Sequence, residues 1–176
     1  MLLLALALLL GCSREAIDYG FSINQVGVSR GYQLVNVRMD QKLDLSHQAR
    51  EAVLHGVTLS IKLELELQSA EKLIGAVTER RRFEIRYLPL SERFQLTEKQ
   101  SGDVQSFSRL RHALATIDRL HVKVATGPLP PGGYQLRTRI FLDERRLPAP
   151  MQLPAWFSSQ WHHDSGWSVW PFKINA

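Results

Sequence analysis

"VTLSIKLELEL", residues 57–67, alternates apolar and polar side chains without interruption. The apolar set falls on one face of an extended chain and consists of Val57, Leu59, Ile61, Leu63, Leu65 and Leu67. The positions between them carry hydroxyl or charged side chains, among them Glu64 and Glu66. This alternation predicts a strand with one face in a hydrophobic core and one in water, which is typical of an antiparallel sheet.

Segments with the same two-residue period occur on both sides of this strand. Residues 80–90, "RRRFEIRYLPL", and residues 132–143, "GGYQLRTRIFLD", alternate most clearly. Shorter candidates, separated by Gly, Pro and Ser, are residues 17–28, 34–39, 92–99 and 120–126. The sequence therefore predicts a mainly β fold, an antiparallel immunoglobulin-like β-sandwich of about seven or eight strands with one or two short helices.

Two segments break the alternation and predict those helices. Residues 46–56, "SHQAREAVLHG", place Ser46 as an N-cap and Gly56 as a stop. Residues 106–120 carry apolar residues at intervals of three or four, namely Phe107, Leu110, Leu114, Ile117 and Leu120. Such spacing predicts an amphipathic helix whose apolar stripe packs on the core of its own domain.

The first residues predict a compartment. Leu2 to Leu10 are all Leu or Ala, which is too short a run to span a bilayer and suits the apolar part of a secretory signal. The run ends in Gly11-Cys12, which resembles the bacterial lipoprotein signal, and Cys12 is the only cysteine of the chain. That resemblance implies a signal peptide over residues 1–11 and a mature protein that begins at a lipidated Cys12. A simply cleaved signal and an uncleaved anchor remain the alternatives.

This signal predicts that the protein is in the bacterial cell envelope, faces the periplasm and is held to the membrane by an N-terminal lipid. Ser13 follows the cysteine where lipoproteins kept at the inner membrane typically have Asp, so the outer membrane is favoured over the inner one. With a single cysteine the domain has no disulfide of its own and depends on packing.

The composition excludes some classes of function. The net charge is +5, but the basic residues form no single block, and we expect no nucleic-acid partner. His162, His163 and Asp164 are the best local metal candidates, yet adjacent side chains diverge in extended backbone, and a polar turn is preferred. Glu64 and Glu66 are expected to face Lys62 and the arginines of a neighbouring strand. We expect no catalytic residue, no metal and no cofactor, and hence no enzyme.

The C-terminal residues 147–172 differ from the rest. Pro148, Pro150 and Pro154 predict an extended path rather than a continuous helix. All four tryptophans lie here, at Trp156, Trp161, Trp167 and Trp170. They either close the core or form a partner or ligand surface.

An ordered set of stretches resembles a known family. "EAVLHGVTLSIKLELEL", "RYLPLSERFQL", "SFSRLRHAL", "LPPGGYQLRTRIFLDERRLPAPMQ" and "SGWSVW" follow one another within residues 31–172. In order and spacing they resemble DUF4390, a family of bacterial exported proteins that is a domain of unknown function. The resemblance implies a single, mostly β envelope domain over residues 12–176, without assigned catalytic residues. It also suggests an envelope partner such as a membrane sensor kinase.

Together these features predict a non-enzymatic, lipid-anchored envelope protein that acts as a protein-binding accessory or sensory module. The alternative is a module that binds envelope glycan or lipid through the C-terminal tryptophans.

Overall fold

The computed structural model describes residues 19–71 and 76–175, so the signal segment and Cys12 lie outside the described residues. The strands are β1 (Gly20–Arg30), β2 (Leu34–Asp44), β3 (Leu59–Ser69), β4 (Val77–Leu88), β5 (Arg93–Glu98), β6 (Val104–Phe107), β7 (Arg119–Ala125), β8 (Gly132–Leu142) and β9 (Ser168–Ile174). The helices are α1 (His47–Leu54), α2 (Leu110–Asp118) and α3 (Ala149–Phe157). The predicted mainly β fold is confirmed.

The strands form two antiparallel sheets whose buried side chains share one core. One sheet has the order β1-β2-β7 and the other the order β6-β5-β4-β3-β8-β9. Strand β3 lies in the middle of the larger sheet and pairs with both β4 and β8. Its inward residues from Leu59 to Leu67 are buried, together with Val35, Val37 and Met39 of the smaller sheet. The alternation in residues 57–67 therefore sets the face on which the core forms.

Helix α1 matches its prediction. The Ser46 hydroxyl accepts a hydrogen bond from the Ala49 N–H at 3.1 Å, which caps the first turn. After the last turn Gly56 takes a φ of +89°, a left-handed conformation that glycine adopts without a Cβ clash.

Helix α2 is shorter than predicted. It covers Leu110–Asp118, whereas Phe107 lies in β6 and Leu120 in β7. The prediction merged two patterns, because Leu120 has helical spacing from Ile117 and also begins the alternating run of β7. Pairing of β7 with β2 over seven residue pairs determines the outcome.

Helix α3 corrects the extended path predicted for the proline-rich segment. Pro150 lies in its first turn, where an N–H has no partner within the helix and the fixed φ of proline suits helical backbone. Pro154 lies inside the helix and removes one hydrogen bond from this exposed element. Within the described ranges, no helix combines the length and apolar character needed to cross a bilayer.

Asp118, the last residue of α2, is expected to give the stability of the folded domain an unusual dependence on pH. Burial raises its pKa from 3.8 to about 6, against a hydrogen bond from the Leu43 backbone that lowers it. The folded state therefore binds a proton more tightly than the unfolded state, and stability falls as pH rises from about 4 to about 6.

We expect Asp118→Asn to stabilise the fold at pH 7 by about 1 kcal/mol, a value reduced for the partial exposure of the carboxylate. The variant should also lose the fall in stability between about pH 4 and pH 6. Urea unfolding at a series of pH values measures both effects. An unchanged pH profile in Asp118→Asn would contradict the assignment.

Candidate functional site

The outer face of the larger sheet is a network of paired charges. Glu66 of β3 accepts from Arg137 of β8 at 3.0 Å, and Glu64 lies 3.6 Å from Arg80 of β4. The predicted pairing of these carboxylates with arginines of neighbouring strands is therefore confirmed, whereas Lys62 pairs with Asp143. Other pairs on or beside this face are Lys62–Asp143, Arg82–Glu84, Lys99–Glu84 and Arg139–Asp164. Most cations here already have carboxylate partners within the domain, whereas Arg86 of β4 donates to the Gln95 side chain instead.

The stretch from His162 to Asp164 connects separate parts of the fold. The Nε2 atom of His163 accepts a hydrogen bond from the Ser46 N–H at 2.9 Å, and Asp164 pairs with Arg139. His163 is 1% exposed, and burial lowers its pKa, so the imidazole is held neutral. No group of three His, Cys, Asp or Glu side chains that could hold a metal ion occurs in the described part of the chain.

The four tryptophans have different environments. Trp161 is buried in the core, and the Trp170 indole N–H donates to the Thr138 hydroxyl at 2.9 Å. The Trp167 ring lies under the Arg137 guanidinium at 4.7 Å. Trp156 is 70% exposed. Of the four, Trp156 offers the most ring surface to a partner, and a partner or ligand role for the four remains a prediction.

Trp156 belongs to an apolar surface on α3, which we call the α3 surface: Leu153, Trp156 and Phe157. Their spacing places them on one helix face, and they are 66%, 70% and 86% exposed. The spacing of these three residues is a sequence signal for one face of a helix. The extended path predicted from the prolines left that signal unused.

Hydrogen bonds and an ion pair order the residues that connect β8 to α3. Asp143, at the end of β8, is buried and pairs with Lys62 of β3 at 2.7 Å. The Gln152 side chain then donates to the Leu147 carbonyl at 2.8 Å. Beside the helix lies a groove of about 770 Å³, lined by residues that include Lys62, Arg139, Glu144, Arg145, Gln152 and Trp156.

A second surface crosses the outer face of the smaller sheet. It is an open depression of about 530 Å³, which we call the basic trough: Gly27, Ser29, Asn36, Arg38, His121 and Lys123. Strand register aligns Ser29, Asn36 and Lys123 in one row and Gly27, Arg38 and His121 in the next. The Arg38 Nε–H donates to the His121 Nε2 at 3.0 Å. The sequence predicted a strand over residues 120–126, but it did not reveal that β7 lies beside β2.

The charges of the basic trough are not neutralised locally. Among the described residues, neither Arg38 nor Lys123 forms an ion pair, in contrast to most cations of the larger sheet. Gly27 leaves open space beside Arg38, because a Cβ built there would meet nothing within 4 Å. The basic trough therefore has both room and positive charge for an anionic group.

The model of a domain of unknown function, DUF4390, matches residues 19–171, which includes both surfaces. No curated protein and no solved structure matches the chain.

The buried hydrogen bond between His163 and Ser46 supplies a stability prediction. His163→Phe keeps an aromatic ring but removes the acceptor, which leaves the Ser46 N–H buried and unpaired. We expect a loss of about 2 kcal/mol in the free energy of unfolding, measured by urea denaturation.

A control substitution and a measurement of pH dependence test this prediction. His162→Phe changes the exposed neighbour and should cost much less. In the native chain the unfolded His163 takes up a proton below about pH 6.5 that the folded one resists, so this group contributes a loss of stability as the pH falls. That contribution should disappear in His163→Phe, and equal effects of the two substitutions would contradict the assigned role.

Proposed function

The chain belongs to the DUF4390 family, a domain of unknown function, and from its surfaces we propose that it is a non-enzymatic binding module of the bacterial cell envelope. A lipid on Cys12 anchors it to a membrane, with the outer membrane favoured. The domain faces the periplasm and binds an acidic segment of another envelope protein in the basic trough. A membrane sensor kinase is the kind of partner that the family resemblance suggests.

The observation that carries this proposal is the uncompensated charge of the basic trough. Most cations on the larger sheet have a carboxylate nearby, so a further acidic group gains little by approaching them. Arg38 and Lys123 have no such partner among the described residues, and an acidic group meets both without displacing an internal ion pair.

Sheet geometry favours an extended acidic segment. Lys123 is paired with Asn36, two residues from Arg38 on β2, so the two cations are diagonal neighbours, with Cα atoms about 7 Å apart. Residues i and i+2 of an extended peptide are separated by about the same distance and point to the same side. Two carboxylates at that spacing therefore match the two cations, while Ser29 and Asn36 supply hydrogen bonds.

The non-enzymatic part of the proposal is supported by the use of the polar side chains. His163 is engaged with the backbone of Ser46, and Glu64 and Glu66 are engaged with arginines. Each of these groups has a structural partner within the domain.

The partner is tested by photo-crosslinking in intact cells from a label placed at Ser29. We expect one dominant protein adduct, reduced about tenfold by Arg38→Glu with Lys123→Glu, because losing two charge contacts costs about 1.4 kcal/mol or more.

Matched controls test whether charge alone matters. Arg109→Glu with Arg111→Glu makes the same change of charge at exposed positions around the start of α2 and should leave the adduct unchanged. A label at exposed Val169, on the larger sheet, should not give this adduct. Diffuse adducts from both labels, or equal effects of the two charge reversals, would overturn the proposal.

The anchor is tested by the intact mass of the protein extracted from its native membranes. We expect a chain that begins at Cys12 and carries the mass of acyl groups, and Cys12→Ala should lose both features. An unmodified chain with another N-terminus would indicate a simply cleaved signal or an uncleaved anchor and would remove lipid anchoring from the proposal.

The alternative function, binding of glycan or lipid by the C-terminal tryptophans, is favoured by one observation. Trp156 is mostly exposed and lines the groove beside α3. That surface is distinct from the basic trough, so the two binding activities are compatible.

A further inference from the structure

Helix α3 has the composition of a buried element. Its sequence, Ala149–Phe157 "APMQLPAWF", contains one polar side chain and no charge. A helix that is apolar on all sides is normally covered by a protein core or by lipid. Only Ala155 of this helix is buried, and the α3 surface remains open. An apolar patch of this kind indicates that something outside the domain covers it.

The chain enters the domain beside this helix. The Tyr19 hydroxyl donates to the Ser159 hydroxyl at 3.4 Å, two residues after α3 ends, and the Tyr19 ring lies 5.4 Å from that of His163. Cys12 precedes Tyr19 by seven residues, and a fully extended chain of that length spans at most about 25 Å. A membrane that holds a lipid on Cys12 is therefore within about 25 Å of Tyr19. Tyr19 lies at the end of the domain that carries α3.

We propose that the α3 surface inserts into the interfacial region of the bilayer that holds the lipid on Cys12. This inference deepens the alternative lipid-binding function and relies on the proposed anchor for its geometry. Leu153, Trp156 and Phe157 enter the boundary between headgroups and acyl chains, and α3 lies along the membrane plane as a second contact.

The chemistry around α3 fits a lipid surface. Trp combines a large apolar ring with an N–H donor and is enriched where one end of a side chain is wet and the other is in hydrocarbon. Exposed Arg145 lines the same groove as Trp156 and is placed to meet anionic headgroups. Three apolar side chains bind a bilayer weakly by themselves, but an anchor within about 25 Å makes the contact intramolecular.

The same geometry places the basic trough away from the bilayer. Strand β1 runs from Gly20, beside Tyr19, to Arg30, which spans about 35 Å. Ser29 of the basic trough is near the far end of this strand, and exposed Tyr32 lies beyond it. The membrane contact and the protein contact are therefore at separate places, and one does not block the other.

The experiment uses the chain from residue 12 onward, because the described core lies between Phe21 and Ile174. Cys12, the only cysteine, is coupled to a maleimide lipid in vesicles of phosphatidylethanolamine and phosphatidylglycerol. This coupling supplies an anchor whether or not the cell lipidates Cys12, so a failure of the inference is distinguishable from a failure of the proposed anchor. A fraction of the lipids carries bromine on the acyl chains and quenches tryptophan fluorescence at short range.

The contribution of Trp156 is the difference in quenching between the native chain and Trp156→Phe. We expect that difference to fall about tenfold in Leu153→Asp with Phe157→Asp, because each charge opposes entry into the bilayer. Tyr32→Asp with Val169→Asp changes two exposed apolar residues away from α3 and should have no effect.

Three results would overturn the inference. The first is quenching that is the same in the native chain and Trp156→Phe. The second is equal loss in both double variants. The third is Trp156 that remains accessible to aqueous iodide in brominated vesicles but becomes protected when envelope polysaccharide is added, since a glycan would then be the occupant.

Discussion

The burial of one face of β3 is the constraint on which the rest of the structure depends. Its inward leucines and Ile61 are essentially inaccessible, and paired strands on both sides satisfy its backbone. Because side chains alternate across a strand, this burial forces the charged residues Lys62, Glu64 and Glu66 onto the outer face. A shift of one residue would exchange the two sets, so the hydrophobic alternation fixes the register of β4 and β8 as well.

The pairing of charges follows from that register. Glu64 is opposite both Arg80 of β4 and Arg139 of β8, and Glu66 is opposite Arg137. Each carboxylate on the central strand thus neutralises cations on its neighbours. In the smaller sheet the central strand β2 carries Asp40 opposite Arg119, and these two form an ion pair, whereas Lys123 lies opposite Asn36. Which cations remain without a carboxylate partner is therefore a consequence of which residues the strand register brings together.

The sequence was sufficient for features that depend on local pattern. Alternation predicted β3, β4 and β8, and the Ser46 cap with the Gly56 stop predicted α1, because both signals act within a few residues. It failed where two local rules competed. In residues 147–157 proline argued against a helix, although Pro150 lies in the first turn, where proline is favourable.

The candidate surfaces were less accessible to sequence reasoning. The basic trough needs β7 to lie beside β2, a pairing between residues 79 to 91 positions apart in the chain. The distinction among the tryptophans likewise needs the fold, since Trp161 and Trp156 differ by five positions but have opposite exposure. Residue types were visible in both cases, while the neighbours that decide their role were not.

The C-terminal segment combines buried aromatic residues with an exposed apolar helix. Trp161 and His163 are buried, and His163 ties this segment to α1 and to the start of β1, whereas α3, immediately before them, remains mostly exposed and is tied to the preceding residues through Gln152. A domain that needed only to close its core would gain by turning Trp156 or Phe157 inward, because each large apolar side chain contributes about 2 kcal/mol on burial. Instead Ala155 of α3 is buried, and the apolar side chains of the α3 surface point outward. An exposed apolar element on a rigid support, next to the point where the chain enters, is what a contact with a nearby lipid surface requires.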